Sequence, residues 1–249
     1  MKNYFVIAHR GESFLAPENT LSSINLAWAN GSDAVEIDIR LTKDNRIVVI
    51  HDANTIRVSG RFKWVRKSML KDLKKLDVGR FKDKKYEEEK IPELTEVLNT
   101  VPANKKIIIE IKCGKEIVPL LMNDLLNAGL QPNQIEIISF KLNVLKEIRK
   151  KLPQYHAYWI VAISNYKIFR FFQSSIHKII EQTMKNKLNG LNLNDGIHLT
   201  QRNISRIKSV NLRLYVWTVN DIKRIKELIN FGVDGITTDK AGFVISELN

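Results

Sequence analysis

Cysteine, proline and glycine are scarce in this 249-residue chain, which has one, 6 and 11 of them respectively. The lone Cys113 excludes an internal disulfide and a zinc site built on several thiolates, and it fits a reducing compartment. So few glycines and prolines beside 44% hydrophobic residues exclude collagen-like and disordered chains. No repeat array is evident, and no apolar run reaches the ~18–20 residues of a membrane-spanning helix. The chain passes from Met1-Lys2-Asn3-Tyr4 straight into the strand-like Phe5-Val6-Ile7-Ala8, which leaves no room for a secretion leader. A soluble cytoplasmic protein is therefore expected, as a monomer or a homodimer.

Acidic residues are in the minority. The 27 Asp and Glu stand against 40 Lys and Arg, a formal charge of +13. Part of the excess is concentrated between Arg57 and Lys90, where 13 basic residues face 6 acidic ones. Trp64 and Phe81 lie among those lysines, a mixture suited to an anionic membrane surface or a polyanion, although such charge runs usually form a solvated face.

What the chain has in quantity is short β-branched runs, each followed by a stretch with helical spacing. Eight strands are predicted: Tyr4–Ala8, Ala34–Leu41, Ile107–Lys112, Ile135–Phe140, His156–Val161, Gly190–Leu193, Arg213–Thr218 and Gly235–Thr238. Helices are predicted over Thr20–Asn30, Pro92–Asn99 with Pro92 in the first turn, Glu116–Ala128, Leu142–Lys151, Phe169–Lys187, Gln201–Lys208, Asp221–Asn230 and Gly242–Glu247. Eight such alternations in about 250 residues are the arithmetic of an α/β chain folded as a (β/α)₈ TIM barrel, with a doubly wound sheet as the other arrangement to consider. The rhythm breaks after strand two. There Arg46–Ile50 is expected to form a hairpin mate following an Asn45 turn, and residues 52–90 to form a small basic insertion on a single domain spanning 1–249.

In a barrel, reacting groups come from the C-terminal ends of strands. His9 and Arg10 end strand one. Glu36 and Asp38, two apart on strand two, share a face, as do Glu110 and Lys112 on strand three. Carboxylates are poorly placed against helices, so the inward face is expected and the three acids should converge at the barrel mouth. Two carboxylates ~5 Å apart at an effective dielectric of ~20 repel by about 3 kcal/mol. Three together need shifted pKa values, a cation, or salt bridges to Arg10, Arg40 and Lys112. An all-oxygen ligand set would favour Mg²⁺ or Ca²⁺ over Zn²⁺. His9 and His51 both follow apolar β-branched runs and so sit at strand ends, where a pair of imidazoles can serve as general base and acid.

The runs IAHRG, PENT, EIDIRLTKDNRIVVIHD, IPELTEVL and IEIK resemble, in order and spacing, the glycerophosphodiester phosphodiesterase family. Val216-Trp217-Thr218-Val219-Asn220 and Gly232–Asp239 extend the likeness to residue 239. The resemblance implies a metal-dependent hydrolase that converts glycerophosphodiesters to sn-glycerol 3-phosphate and an alcohol. It implies His9 and His51 as the acid/base pair, Glu36, Asp38 and Glu110 as ligands of one Mg²⁺ or Ca²⁺, and Arg10 and Lys112 on the phosphate. Phe140 and Trp217 would form the apolar wall of the glycerol pocket, with core packing the alternative for Phe140, while Glu18 and Asn19 would mainly shape the loop. Asn45 replaces the usual glycine of the hairpin turn, and the insertion is unusually basic.

Two other functions are compatible with parts of the pattern. A lyase-type relative would stop at a cyclic phosphate, and a two-histidine site suits attack by an internal hydroxyl. A polyanion-binding barrel without catalysis would use the +13 charge, but nothing about binding nucleic acid calls for three converging carboxylates, and no nucleic-acid partner is expected.

Overall fold

The computed structural model describes residues 3–164 and 176–249. Nine strands are present among them: β1 (Phe5–His9), β2 (Ala34–Leu41), β3 (Ile47–Val49), β4 (Lys106–Ile111), β5 (Ile135–Ser139), β6 (His156–Val161), β7 (Gly190–Asn194), β8 (Arg213–Trp217) and β9 (Gly235–Thr238). Eight of them run parallel in the order β1-β2-β4-β5-β6-β7-β8-β9, and β9 pairs back onto β1. That closure makes a (β/α)₈ barrel and rules out the open doubly wound sheet. β3 lies outside the ring, antiparallel to the end of β2, with Asn45 of the turn at φ 58°.

The helices are α1 (Leu21–Ala29), α2 (Ile56–Ser59), α3 (Leu70–Leu73), α4 (Leu94–Leu98), α5 (Val118–Asn127), α6 (Leu142–Lys151), α7 (Ile176–Lys185), α8 (Gln201–Lys208), α9 (Ile222–Asn230) and α10 (Ala241–Leu248). The first part of the helix expected over Phe169–Lys187 lies outside the described residues. α4 starts later than its proline suggested. Pro92 precedes the helix and uses its carbonyl to accept from Val49 N–H at 2.9 Å, while Glu93 and Glu96 form the capping box. No helix among the described residues is long and apolar enough to cross a membrane.

Alternation along the strands divides the molecule into two cores. Val6, Val35, Ile37, Ile109 and Ile137 point outward and pack, almost wholly buried, against helix residues such as Ile24, Leu121, Val144 and Ile148. Ile7, Ala34, Ile108, Ile138, Tyr158 and Tyr215 fill the barrel interior. Beneath that apolar waist is a polar plug, where the fully buried Glu136 accepts from the Tyr215 hydroxyl at 2.8 Å and lies 3.3 Å from Lys106 Nζ and 3.5 Å from Arg213 Nη1. Above it the interior turns polar again, at the C-terminal ends of the strands.

Between β3 and α4 the basic segment has a core of its own, formed by Val48, Ile50, Val58, Val65, Leu73, Leu76, Val78 and Ile91. Its charges therefore cover a small apolar cluster.

Candidate active site

Strand register gathers the acids. His9 is paired with Glu36 across β1 and β2, and Asp38 with Glu110 across β2 and β4. Period-two alternation then turns Glu36, Asp38 and Glu110 inward, all buried, with one oxygen of each within 4.8 Å of the others. Among the described residues this is the one group of His, Cys, Asp or Glu with a metal-ligand arrangement.

The cluster is electrostatically incomplete. Glu36 Oε1, Asp38 Oδ1 and Glu110 Oε1 are buried and accept no hydrogen bond, although Lys112 Nζ stands 2.8 Å from Glu110 and 3.5 Å from Asp38 as an ion-pair partner. Burial, reinforced by Asp38 and Glu110, pushes Glu36 well above the ordinary carboxylate range. Burial and the Asp38 charge likewise raise Glu110 to about 7. Burial acts on Asp38 too, but Arg10, Lys112, His51 and the Asn19 amide outweigh it and hold Asp38 below its usual value. Two of the three acids thus resist ionisation unless positive charge is added. Three converging carboxyl oxygens that share a single lysine, on acids two of which need added positive charge to ionise, are the donor set of a hard divalent cation, so the cluster is a candidate metal site.

The loop after β1 is built around the same acids. Arg10 adopts φ 57°, which turns its backbone N–H onto Glu36 Oε2 at 3.1 Å. Gly11 follows at φ 81°, and a Cβ there would come within 2.7 Å of Ser23 atoms, so the HRG glycine meets both a backbone and a space requirement. The Arg10 side chain reaches Glu18 at 2.9 Å and Asp38 at 3.2 Å. Asn19 grips Asp38 twice, donating to Oδ2 at 2.8 Å and accepting from its backbone N–H at 3.1 Å. Arg40 does not pair with the three acids as the salt-bridge alternative required; its Nε donates to the His51 carbonyl at 2.8 Å.

Each histidine rests on a carboxylate. His9 Nδ1 is 2.7 Å from Asp239 Oδ1, and His51 Nδ1 is 2.7 Å from Asp52 Oδ1. A carboxylate accepts the Nδ1 proton, which leaves Nε2 as the nitrogen free to exchange protons. Burial pushes the His51 imidazole below its usual value. Asp239 is itself held by Ser13 Oγ at 3.2 Å and Asn220 Nδ2 at 2.7 Å.

These groups line a cavity of about 260 Å³ that includes His9, Arg10, Glu36, His51, Glu110, Lys112, Phe140 and Trp217. Phe140 is 42% exposed, which removes core packing as its role, and it meets Trp217 edge to face at 5.7 Å. Asn192, 4% exposed, lines the same cavity with its Oδ1 unpartnered. Larger clefts of about 430 and 610 Å³ lie elsewhere on the surface, and neither is lined by a histidine.

Asp239, Arg57 and Asn192 join the site without having been singled out by sequence pattern. Asp239 falls in the quoted Gly232–Asp239 run, where an acid at the end of the last strand was the available signal. Arg57 was counted only as charge. Nothing in the spacing marked Asn192.

A closed parallel barrel with an acidic cluster, two carboxylate-backed histidines and cationic side chains in one mouth has the make-up of an enzyme site for an anionic substrate. The sequence profile of the glycerophosphoryl diester phosphodiesterase family matches residues 9–243, and the chain belongs to that family. A glycerophosphodiester phosphodiesterase of Caldanaerobacter subterraneus subsp. tengcongensis is 30% identical over 94% of this chain and 93% of its own. Among solved structures, an Oleispira antarctica phosphodiesterase in complex with the product sn-glycerol-3-phosphate superposes with a TM-score of 0.87 at 26% identity, covering 98% of this chain and 96% of that one. The glycerophosphodiester phosphodiesterase of Thermotoga maritima gives 0.78 at 26% identity, over 99% and 98%.

Proposed function

We propose that the protein is a divalent-metal-dependent glycerophosphodiester phosphodiesterase that releases sn-glycerol 3-phosphate and an alcohol, with His9 and His51 exchanging the protons. The observation that carries this reading is the convergence of three buried, under-partnered carboxylates and two Asp-backed histidines in one cavity.

Glu36, Asp38 and Glu110 would hold Mg²⁺ or Ca²⁺. When bound, the ion supplies Lewis-acid withdrawal of charge from the phosphoryl oxygens. The remaining steps fall to the chain's own side chains. Arg10 and Lys112 neutralise the anionic diester, which otherwise repels an attacking oxygen. Burial lowers the His51 pKa, which favours the neutral imidazole, and its Nε2 takes the proton from the attacking oxygen. His9, starting with a proton on both ring nitrogens, gives the Nε2 proton to the departing alkoxide as the P–O bond to the alcohol breaks; the proton that His51 took from the attacking water returns the pair to its starting state, and one water is consumed overall. Asp52 and Asp239 each accept the Nδ1 proton of their ring and so leave proton exchange to Nε2. Phe140 and Trp217 face the carbons of the glycerol.

The barrel and the basic segment after strand two act as one domain in the cytoplasm, consistent with the free thiol of Cys113. Weak contact with anionic headgroups belongs to this reading, since Phe62 and Trp64 are exposed and packed edge to face at 5.2 Å beside Arg61, Arg66 and Lys67. Sedimentation with anionic vesicles that weakens as salt rises is the expected behaviour, and salt-independent or absent binding removes that part.

The test of the function is phosphorus NMR of purified protein with glycerophosphoethanolamine. The expected product is sn-glycerol 3-phosphate, and EDTA should stop its formation. A cyclic phosphate as the end product would assign a lyase instead, and turnover indifferent to chelation would remove the metal.

A further inference from the structure

Arg57 lies on α2, within the basic segment, and it is the third member of a chain of contacts that begins at His51. Its Nε donates to Asp52 Oδ2 at 2.6 Å, while the other oxygen of Asp52 holds His51 Nδ1 at 2.7 Å. The opposite edge of the guanidinium faces both oxygens of Glu18, with Nη1 to Oε2 at 2.5 Å and Nη2 to Oε1 at 2.9 Å. Glu18 is in turn anchored by Arg10 Nη1 at 2.9 Å. All three guanidinium nitrogens are used, so the plane of the group is set by two carboxylates from different parts of the chain, one before α1 and one after β3.

We propose that Arg57 is a positioning residue for the proton-exchanging His51: it fixes the Asp52 carboxylate, which fixes the imidazole plane and keeps Nε2 toward the cavity. This inference rests on the proton-exchange role of His51 given above. Three features favour positioning over simple surface attraction. Arg57 is 42% exposed and Asp52 31%, a setting in which isolated ion pairs stabilise weakly. The bidentate fork gives an orientation that a point charge such as Lys cannot reproduce. The same two-layer arrangement also occurs at the other histidine, where Ser13 and Asn220 hold Asp239 against His9. At His9 the outer layer is neutral and comes from the barrel. At His51 it is a charged residue of the basic segment, which gives that segment a part in setting the site geometry.

The test uses Arg57→Ala and Arg57→Lys in the full chain, with kinetics on glycerophosphoethanolamine under saturating Mg²⁺ and thermal melting of each protein. The expected result is kcat lower by about 10- to 100-fold in both variants, the range for losing a group that orients a catalytic side chain. KM should stay within about threefold and Tm within about 3 °C, as befits loss of an exposed pair. Added guanidinium chloride at millimolar concentration should restore part of kcat in Arg57→Ala and have no such effect on Arg57→Lys. In an Asp52→Asn background, Arg57→Ala should cost much less than it does alone, because both act through the same carboxylate. Unchanged kcat in both variants would overturn the proposal, and so would a loss that tracks melting, resists guanidinium and adds independently to Asp52→Asn. A wild-type protein that releases no sn-glycerol 3-phosphate would instead sink the functional reading, a separate outcome.

Discussion

His9 and Asp239 stand 230 residues apart in the chain and 2.7 Å apart in space, because β9 closes the barrel against β1 and brings the end of the last strand beside the end of the first. The pairing of the first histidine with its carboxylate thus depends on closure itself.

Replacing Asp239 by Asn should lower kcat at least tenfold with little change in KM, since the imidazole loses the partner that fixes its tautomer. Stability should respond as well. Burial opposes ionisation of Asp239, but His9, Asn220 and Ser13 hold its pKa at about 2, below the ordinary 3.8. A depressed carboxylate contributes stability above its unfolded pKa and loses it as pH falls through the folded value. The variant should therefore be less stable at pH 7, by at most about 2 kcal/mol. The gap should close between about pH 4 and pH 2. Urea titrations at several pH values read this directly.

Glu110 predicts the opposite slope. Its pKa is raised from 4.5 to about 7 by burial and by Asp38, so in chelator this group's contribution to stability should be fully present below pH 4.5 and be lost as pH rises through 7. The loss should reach up to about 3 kcal/mol. Glu110→Gln should flatten that slope, raise the chelator-treated Tm at pH 8 and abolish the gain in Tm on adding Mg²⁺. Melting curves with and without EDTA decide it.

His9→Ala and His51→Ala should each reduce kcat by ~10²–10⁴ with KM nearly preserved, as expected for losing a general acid or base. Near-normal turnover in either variant would contradict its role.

Phe140→Ala should have a milder effect. Its ring is exposed, meets Trp217 edge to face and lies 5.7 Å from Lys112 Nζ. A contact of this kind is worth about 0.5–1.5 kcal/mol, or roughly 2- to 12-fold in kcat/KM, with melting essentially unchanged. An unchanged kcat/KM, or a large fall in Tm, would contradict a place for this ring in the pocket wall.

Legibility in the sequence followed the range of the interactions. The three acids could be read because period-two spacing on β2 and β4 is local, and a carboxylate on a strand between helices must turn inward. The hairpin turn at Asn45 was readable for the same reason. Pro92 was misplaced by two residues because proline fits both the first turn and the approach to a helix, and only the packing of β3 against its carbonyl decides. Asp239 escaped assignment because its partner lies 230 residues away, and Arg57 because one of its two carboxylates, Glu18, lies 39 residues away, while the nearer one, Asp52, is only five residues off but meets it through the turn into α2. Their significance comes from barrel closure and from the fold of the basic segment, which no local pattern encodes.

The central claim is that Glu36, Asp38 and Glu110 share one hard cation. Anomalous diffraction from crystals grown with Mn²⁺, under conditions in which the dissolved enzyme turns over, tests it most directly. A single strong peak about 2.0–2.6 Å from one oxygen of each residue is the predicted result. The absence of density among the three acids, or a peak at other residues, would contradict it.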